Sequence, residues 1–266
     1  MGKAKTILDI RRQYEEGVKI TMLTAYDYPL ARLLDRAGID IILIGDSLGT
    51  VVAGHDTTLP VTLEEMIYHT RMVVRGTQKA LVVADLPFLS YQVDLSSARL
   101  NAGRLLKEGG AHAVKLEGGT AMRDTIRALV DMDIPVMGHV GLTPQSVNRM
   151  GGYRVQGRKE EDAQRILEDA HAVAEAGAFS VVLEGVPATL AERITAELPI
   201  PTIGIGAGVH CSGQVLVTHD MLGLCDKFSP KFVKKYVDLA ALLGKVFETY
   251  IDEVKEGIFP AEEHSF

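Results

Sequence analysis

Short apolar runs in this chain repeatedly end on charged or hydroxylic residues, and those endings are where chemistry could sit. IDIILIGDS ends in Asp46 and Ser47, ALVVADLPF carries Asp85, AHAVKLEGG carries Lys115 and Glu117, IPVMGHVGL carries His139, and AFSVVLEGV carries Glu184. Lys115 and Glu117 are two apart, so a strand places both on one face. Several carboxylates in one pocket repel each other unless positive charge stands among them. Oxygen donors without thiolates suit a hard divalent cation, Mg2+ before Mn2+. Mg2+ usually takes only one or two protein carboxylates directly. Asp46 and Asp85 are therefore the candidate direct ligands, and Glu117 a ligand at one remove or through water. With Lys115 nearby, such a site fits a substrate that chelates through a carboxylate and the adjacent carbonyl. The chemistry it favours is enolisation, with charge developing on the carbonyl oxygen. Glu184, across the rim from Asp46, is the candidate base. Ser47 is a candidate donor to the substrate carboxylate. His139 is a second polar group at the substrate, or equally a satisfied rim histidine. Tyr26 and Asp27, closing the first run, read as a solvated turn or helix cap.

These residues act together only if one fold brings the run ends together. Eight candidate strands, 19–27, 39–47, 80–88, 111–119, 134–142, 178–186, 200–208 and 214–222, alternate with helical patterns. Several are continuously apolar, as in parallel strands buried on both faces. Thr62 followed by Glu65 has capping-box spacing, and Gly38 stands where a helix would end. A helix over 6–17 precedes the first strand, and a long amphipathic segment, 230–257, follows the last. Eight strands with intervening helices predict a (β/α)8 barrel, read as one domain over 1–266. An open doubly wound sheet is the alternative. Only GAGVHCSG separates the last two strands, too little for a crossover helix. In a barrel of this kind all eight strand ends face one rim, where active sites lie.

Composition narrows the function classes. Lys plus Arg is 28 against Asp plus Glu 35, a net charge of −7, which argues against nucleic acid or an anionic membrane as partner. Two cysteines without metal-type spacing point to a reduced, cytoplasmic protein. No apolar run reaches membrane-spanning length. MGKAKT fits the loose N-myristoylation pattern, which is too short to outweigh a reading that needs no anchor. Two glycine-rich stretches remain. GIGAGVHCSG resembles a phosphate cradle, but glycines are needed there anyway for a tight helix-free connection, the preferred reading. The segment 141–158, with Arg149, Arg154 and Arg158, is a long loop that could close over the site toward an anionic co-substrate.

The strings GDSLG, GHDTTLPVTLEEM, ADLPF, VKLEGG, GHVGLTPQS, GGYRVQGR, VLEGVP and GIGAG, in this order, resemble the ketopantoate hydroxymethyltransferase family from about residue 5 to about residue 255. The resemblance implies a (β/α)8 TIM barrel of the phosphoenolpyruvate/pyruvate superfamily. It implies transfer of a hydroxymethyl group from 5,10-methylenetetrahydrofolate to 3-methyl-2-oxobutanoate, giving 2-dehydropantoate on the way to pantothenate and coenzyme A. It further implies Mg2+, a cytoplasmic location and a homodecamer of two pentameric rings. Position by position, Asp46 and Asp85 look like metal ligands that also face the oxoacid, and Glu117 like a further metal-associated carboxylate. Ser47, Lys115 and His139 look like substrate contacts, and Glu184 like the proton acceptor. Two positions depart from the family pattern: Ser212, where Asp is expected, and Thr50, often Met. Both are expected to bear on loops at the folate side. The rival reading is a Mg2+-dependent carbon–carbon lyase of the same superfamily acting on 2-oxo or 2-hydroxy acids. Such a lyase generally needs a reactive cysteine or acid on a mobile loop, and GGTAMRD after the fourth strand has no cysteine. A non-catalytic barrel is the second rival; it predicts a decayed rim, whereas all the rim residues are intact.

Overall fold

The computed structural model describes residues 4–225 and 230–266; the start of the MGKAKT pattern lies outside them. Two compact units, Met1–Leu216 and Val217–Phe266, are described separately.

The first unit is a closed barrel of eight parallel strands in sequence order: β1 (Ile20–Thr24), β2 (Ile41–Ile44), β3 (Leu81–Asp85), β4 (Ala113–Glu117), β5 (Val136–Gly141), β6 (Ser180–Glu184), β7 (Thr202–Ile205) and β8 (Gly213–Leu216). Closure excludes the open-sheet alternative, and seven of the eight strands fall within the expected segments; β8 begins at Gly213, one residue before the expected 214–222. The strand period of two divides the apolar residues into two cores. Ile42, Ile44, Val82, Ala84, Val114, Val181 and Leu183 pack outward against the helices. Ile20, Met22, Ile41, Leu43, Leu81, Val83, Ala113, Met137, Val182, Ile203 and Val215 fill the barrel interior. The same inward alternation carries on to Asp85, Lys115, Glu117, His139 and Glu184 higher on their strands. The lower interior is thus packed with hydrocarbon, and the chemistry-bearing side chains form the layer above it.

Helices cover the outside for readable reasons. α1 (Ile7–Glu15) is opened by a reciprocal Thr6–Asp9 capping box and sends Ile10 into the interior core. α2 (Tyr28–Ala37) takes Asp27 as its N-cap and ends on Gly38 in the left-handed conformation. Asp27 is therefore the helix cap expected of it. A short turn, α3 (Leu48–Val51), follows Ser47 directly. α4 (Leu63–Gly76) has the predicted Thr62–Glu65 capping box. α5 (Leu95–Arg104) continues into a wider π-type turn over Leu105–Gly109, where one uninterrupted helix was expected. α6 (Arg123–Val130), α7 (Val147–Met150), α8 (Glu160–Glu175) and α9 (Ala188–Glu197) complete the unit. Between β7 and β8 there is no helix, and buried Cys211 packs against Gly204 where a Cβ would stand 2.9 Å from its sulfur. The glycine-rich stretch is a tight connection, as preferred from the sequence.

In the second unit, α10 (Thr218–Met221) occupies residues expected to extend the eighth strand. α11 (Leu239–Lys255) is capped by Asp238, which accepts from the Ala241 amide at 3.1 Å. It begins nine residues after the expected start at Pro230. Asp226–Ser229 lie outside the described residues. No described helix is long and apolar enough to cross a membrane.

Candidate active site

The strand register fixes the neighbours in the rim layer. Asp85 stands beside Lys115 across β3–β4, and Glu117 beside His139 across β4–β5. Glu184 closes β6, opposite Gly141 at the end of β5. Asp46 lies two residues beyond β2, and its amide donates to Asp85 Oδ2 at 3.0 Å. Asp46, Asp85, Lys115, Glu117 and His139 are all buried. Lys115 Nζ is 2.9 Å from Asp85 Oδ1 and 3.4 Å from His139 Nδ1. His139 Nδ1 is 3.6 Å from Glu117 Oε1, and Nε2 is 3.2 Å from Glu184 Oε2, close but poorly aligned for a hydrogen bond. The fold thus brings all these sequence-predicted residues into one chain of contacts. Ser47, on the turn after β2, shares a 2.8 Å hydrogen bond with the Tyr26 hydroxyl. Tyr26 was read as a solvated turn; it is buried, because its ring closes the core beneath Ser47.

One ammonium among three carboxylates leaves excess negative charge, and the acidities follow. Burial first, and then the Asp85 charge, push the Asp46 carboxyl up to about 7. Burial and then the Asp46 charge push Glu117 well above the usual carboxylate range. Burial alone would lower Lys115, but Asp85, Glu117 and Asp46 outweigh it and raise it. His139 is pushed down by burial and then by Lys115, so its imidazole is neutral at neutral pH. Lys115 has only hydrogens to offer, so Nδ1 is the accepting nitrogen and Nε2 carries its proton toward Glu184.

This charge imbalance and the all-oxygen donor set fit a single hard cation between Asp46 and Asp85. Among the described residues no three His, Cys, Asp or Glu side chains group tightly enough to share one ion.

Sequence reasoning missed Gln145 and Tyr91. Gln145, in the loop after β5, is buried and donates through Nε2 to Asp46 Oδ2 at 2.8 Å. Its backbone amide donates to Glu117 Oε2 at 3.0 Å. The buried Tyr91 hydroxyl donates to Gln145 Oε1 at 2.7 Å and accepts from the Glu117 amide at 3.1 Å. Neither residue sits at a strand end, and no local pattern marks them. Tyr153, on the same loop, has its hydroxyl raised by partial burial and then by Asp46, Glu184 and Glu117, so it stands within their field. Arg149, Arg154 and Arg158 are exposed.

The loop after β4 is stitched down, with the Thr120 amide and hydroxyl donating to Asp169 Oδ1 at 2.8 and 2.9 Å. Gly119 lies so close to Asp169 that a Cβ would collide with it at 2.1 Å. Thr50 donates to the Ser47 carbonyl at 2.9 Å, behind the rim. Ser212 corrects the expectation placed on it. It precedes β8 and bonds Thr202 at the start of β7, at the barrel end opposite the rim, so it does not shape a substrate loop.

Comparison with known proteins gives this geometry a family. The profile of ketopantoate hydroxymethyltransferase matches residues 4–262. The 3-methyl-2-oxobutanoate hydroxymethyltransferases of Geobacter sulfurreducens and Geobacter metallireducens are each 68% identical to the chain over 266 residues, covering all of both chains. That of Syntrophotalea carbinolica is 65% identical over the same span. Among solved structures, a phosphonopyruvate hydrolase in complex with oxalate and Mg++ superposes with a TM-score of 0.64 at 13% identity, covering 98% of this chain and 93% of its own. 2,3-Dimethylmalate lyase, a member of the PEP mutase/isocitrate lyase superfamily, gives 0.62 at 18% identity, covering 100% and 92%. At such identities these structures establish the shared barrel, and the full-length sequence matches establish the rest: the chain belongs to the ketopantoate hydroxymethyltransferase family.

Proposed function

We propose that the protein transfers a hydroxymethyl group from 5,10-methylenetetrahydrofolate to 3-methyl-2-oxobutanoate, giving 2-dehydropantoate for pantothenate and coenzyme A synthesis. The observation that carries this reading is the separation of roles at the rim. A buried acidic cluster with one lysine lies to one side, and Glu184 stands beyond it, with His139 in contact with both.

Asp46 and Asp85 would hold Mg2+, with Glu117 at one remove. The ion, when bound, supplies positive charge that polarises the substrate carbonyl. Lys115 donates to the oxoacid, and Ser47, set by Tyr26, donates to its carboxylate. Glu184 takes the proton from C3 of the oxoacid. The neutral His139 stands beside that carboxylate, with Nε2 3.2 Å from Glu184 Oε2. The resulting carbon nucleophile attacks the one-carbon unit of the folate, forming the new C–C bond; the C–N bonds to that carbon break, water supplies the hydroxyl group, and tetrahydrofolate leaves. The 266 residues are read as one functional barrel domain, assembled in the cytoplasm as a homo-oligomer, a decamer of two pentameric rings.

The loop after β4 carries no cysteine and is tied by Thr120 to Asp169, which disfavours cleavage chemistry. The test is proton exchange at C3 of 3-methyl-2-oxobutanoate in deuterated water, followed by NMR with and without Mg2+ and tetrahydrofolate. Mg2+-dependent exchange is expected. No exchange under any of these conditions would remove the enolising site from the reading.

A further inference from the structure

Gln145 touches two of the three buried carboxylates, and it does so from a loop rather than a strand. Its backbone amide holds Glu117 Oε2 at 3.0 Å, and its side-chain nitrogen holds Asp46 Oδ2 at 2.8 Å. That nitrogen also donates to the Leu86 carbonyl at 3.0 Å. The amide oxygen accepts from the Tyr91 hydroxyl at 2.7 Å and from Gln92 Nε2 at 3.1 Å. A primary amide has two hydrogens and two lone pairs to offer, and all four are used. The partners also forbid the flipped amide. The Leu86 carbonyl can only accept, so NH2 must face it and the oxygen faces Tyr91 and Gln92. A buried group satisfied on every side, with a single permitted orientation, is a rigid fixture.

The consequence falls on the carboxylates. Asp46 has Oδ2 committed to Gln145, and Glu117 has Oε2 committed to it. Asp85 has Oδ2 committed to the Asp46 amide. One oxygen of Asp46 and one of Glu117 are thereby fixed by Gln145, whereas Asp85 has Oδ2 on the Asp46 amide and Oδ1 2.9 Å from Lys115 Nζ. Left to themselves, two like charges this close would rotate apart or share a proton.

We propose that Gln145 is a positioning residue, a clamp that holds Asp46 and Glu117 in the orientation a divalent cation requires, with Tyr91 as the strut that holds the clamp. This rests on the cation site of the proposed function. It also ties the loop 141–158 to the site, since the residue at the loop's near end is bonded to the proposed ligand.

The experiment is the affinity of the full-length protein for Mn2+, read by electron paramagnetic resonance without substrate. The parent is compared with Gln145→Met, Tyr91→Phe and the double variant, each checked for native circular dichroism. Methionine keeps the volume and removes all four side-chain hydrogen bonds. Losing a residue that orients a metal ligand typically weakens binding ~10–100-fold, and that rise in Kd is expected for Gln145→Met. Tyr91→Phe should show a smaller rise, and the double variant less than the product of the two, because both act through one contact. Turnover of Gln145→Met at saturating Mg2+ should recover most of the parental kcat, leaving the defect in the Mg2+ concentration needed. A folded Gln145→Met that binds Mn2+ within twofold of the parent overturns the proposal. If that variant does not fold, an unchanged Kd in Tyr91→Phe overturns it instead. A parent that binds no Mn2+ sinks the cation reading and the clamp together, whereas binding that the variants leave untouched sinks only the clamp.

Discussion

Asp46→Asn should make the metal-free protein more stable, most of all at alkaline pH, while abolishing its activity. The magnitude follows from the acidity of one group. The Asp46 carboxyl is raised from 3.8 to about 7, by burial first and the Asp85 charge second. Between those values the native state keeps a proton that the unfolded chain has released, so stability falls as pH rises through the window and the full penalty of this group is present above it. At about 1.4 kcal/mol per pH unit the full gap is worth roughly 4 kcal/mol, of which roughly 2–3 kcal/mol is lost between pH 5 and pH 8. Asparagine keeps the shape and still accepts from Gln145 Nε2, but carries no charge to bury. The assay is urea unfolding in EDTA at pH 5 and pH 8. The parent should lose that much more stability across the interval than Asp46→Asn does. Saturating Mg2+ should restore the parent at pH 8 and leave the variant nearly unchanged. Parallel losses in the two proteins would refute the electrostatic account, because Asp46 would then not be the charge that burial penalises.

Three further outcomes follow from the same geometry. Glu184→Gln should slow C3 proton exchange by about 10²–10⁴-fold, the usual worth of a general base, with Mn2+ affinity within twofold of the parent; exchange at the parental rate would assign the proton to another group. Lys115→Met removes the ammonium paired with buried Asp85, and urea unfolding in EDTA at pH 8 should show a loss of about 3–5 kcal/mol, whereas an unchanged midpoint would mean the carboxylates are relieved some other way. Gly141→Ala puts a Cβ at φ +94 and 2.4 Å from the Glu184 carbonyl oxygen, which should cost about 1–3 kcal/mol in thermal unfolding and lower exchange by displacing the strand end that bears Glu184. A melting temperature equal to the parent's would show that β5 and β6 can separate there freely.

Much of the site was legible in the sequence because strand geometry is local. A period of two forces Lys115 and Glu117 to one face, and the apolar runs before Asp85, His139 and Glu184 mark where each strand leaves the core. Parallel strands joined by covering helices then align all those ends at one rim. The caps were readable for the same reason: Thr62 with Glu65, and Asp27 with Leu30, interact within a single turn. Strand and helix ends beyond that reach were not. Residues 218–221 turn into a helix where a strand was expected, and the last long helix waits for Asp238. Only the tertiary structure put Gln145 against Asp46, across 99 residues of chain, and Tyr91 beneath both Gln145 and the Glu117 backbone. It alone moved Ser212 to the far end of the barrel and Tyr26 into the core. A loop residue has no period to betray its direction. What fixes it is the hydrogen-bond demand of buried groups contributed by other strands, and that demand exists only once the barrel has closed.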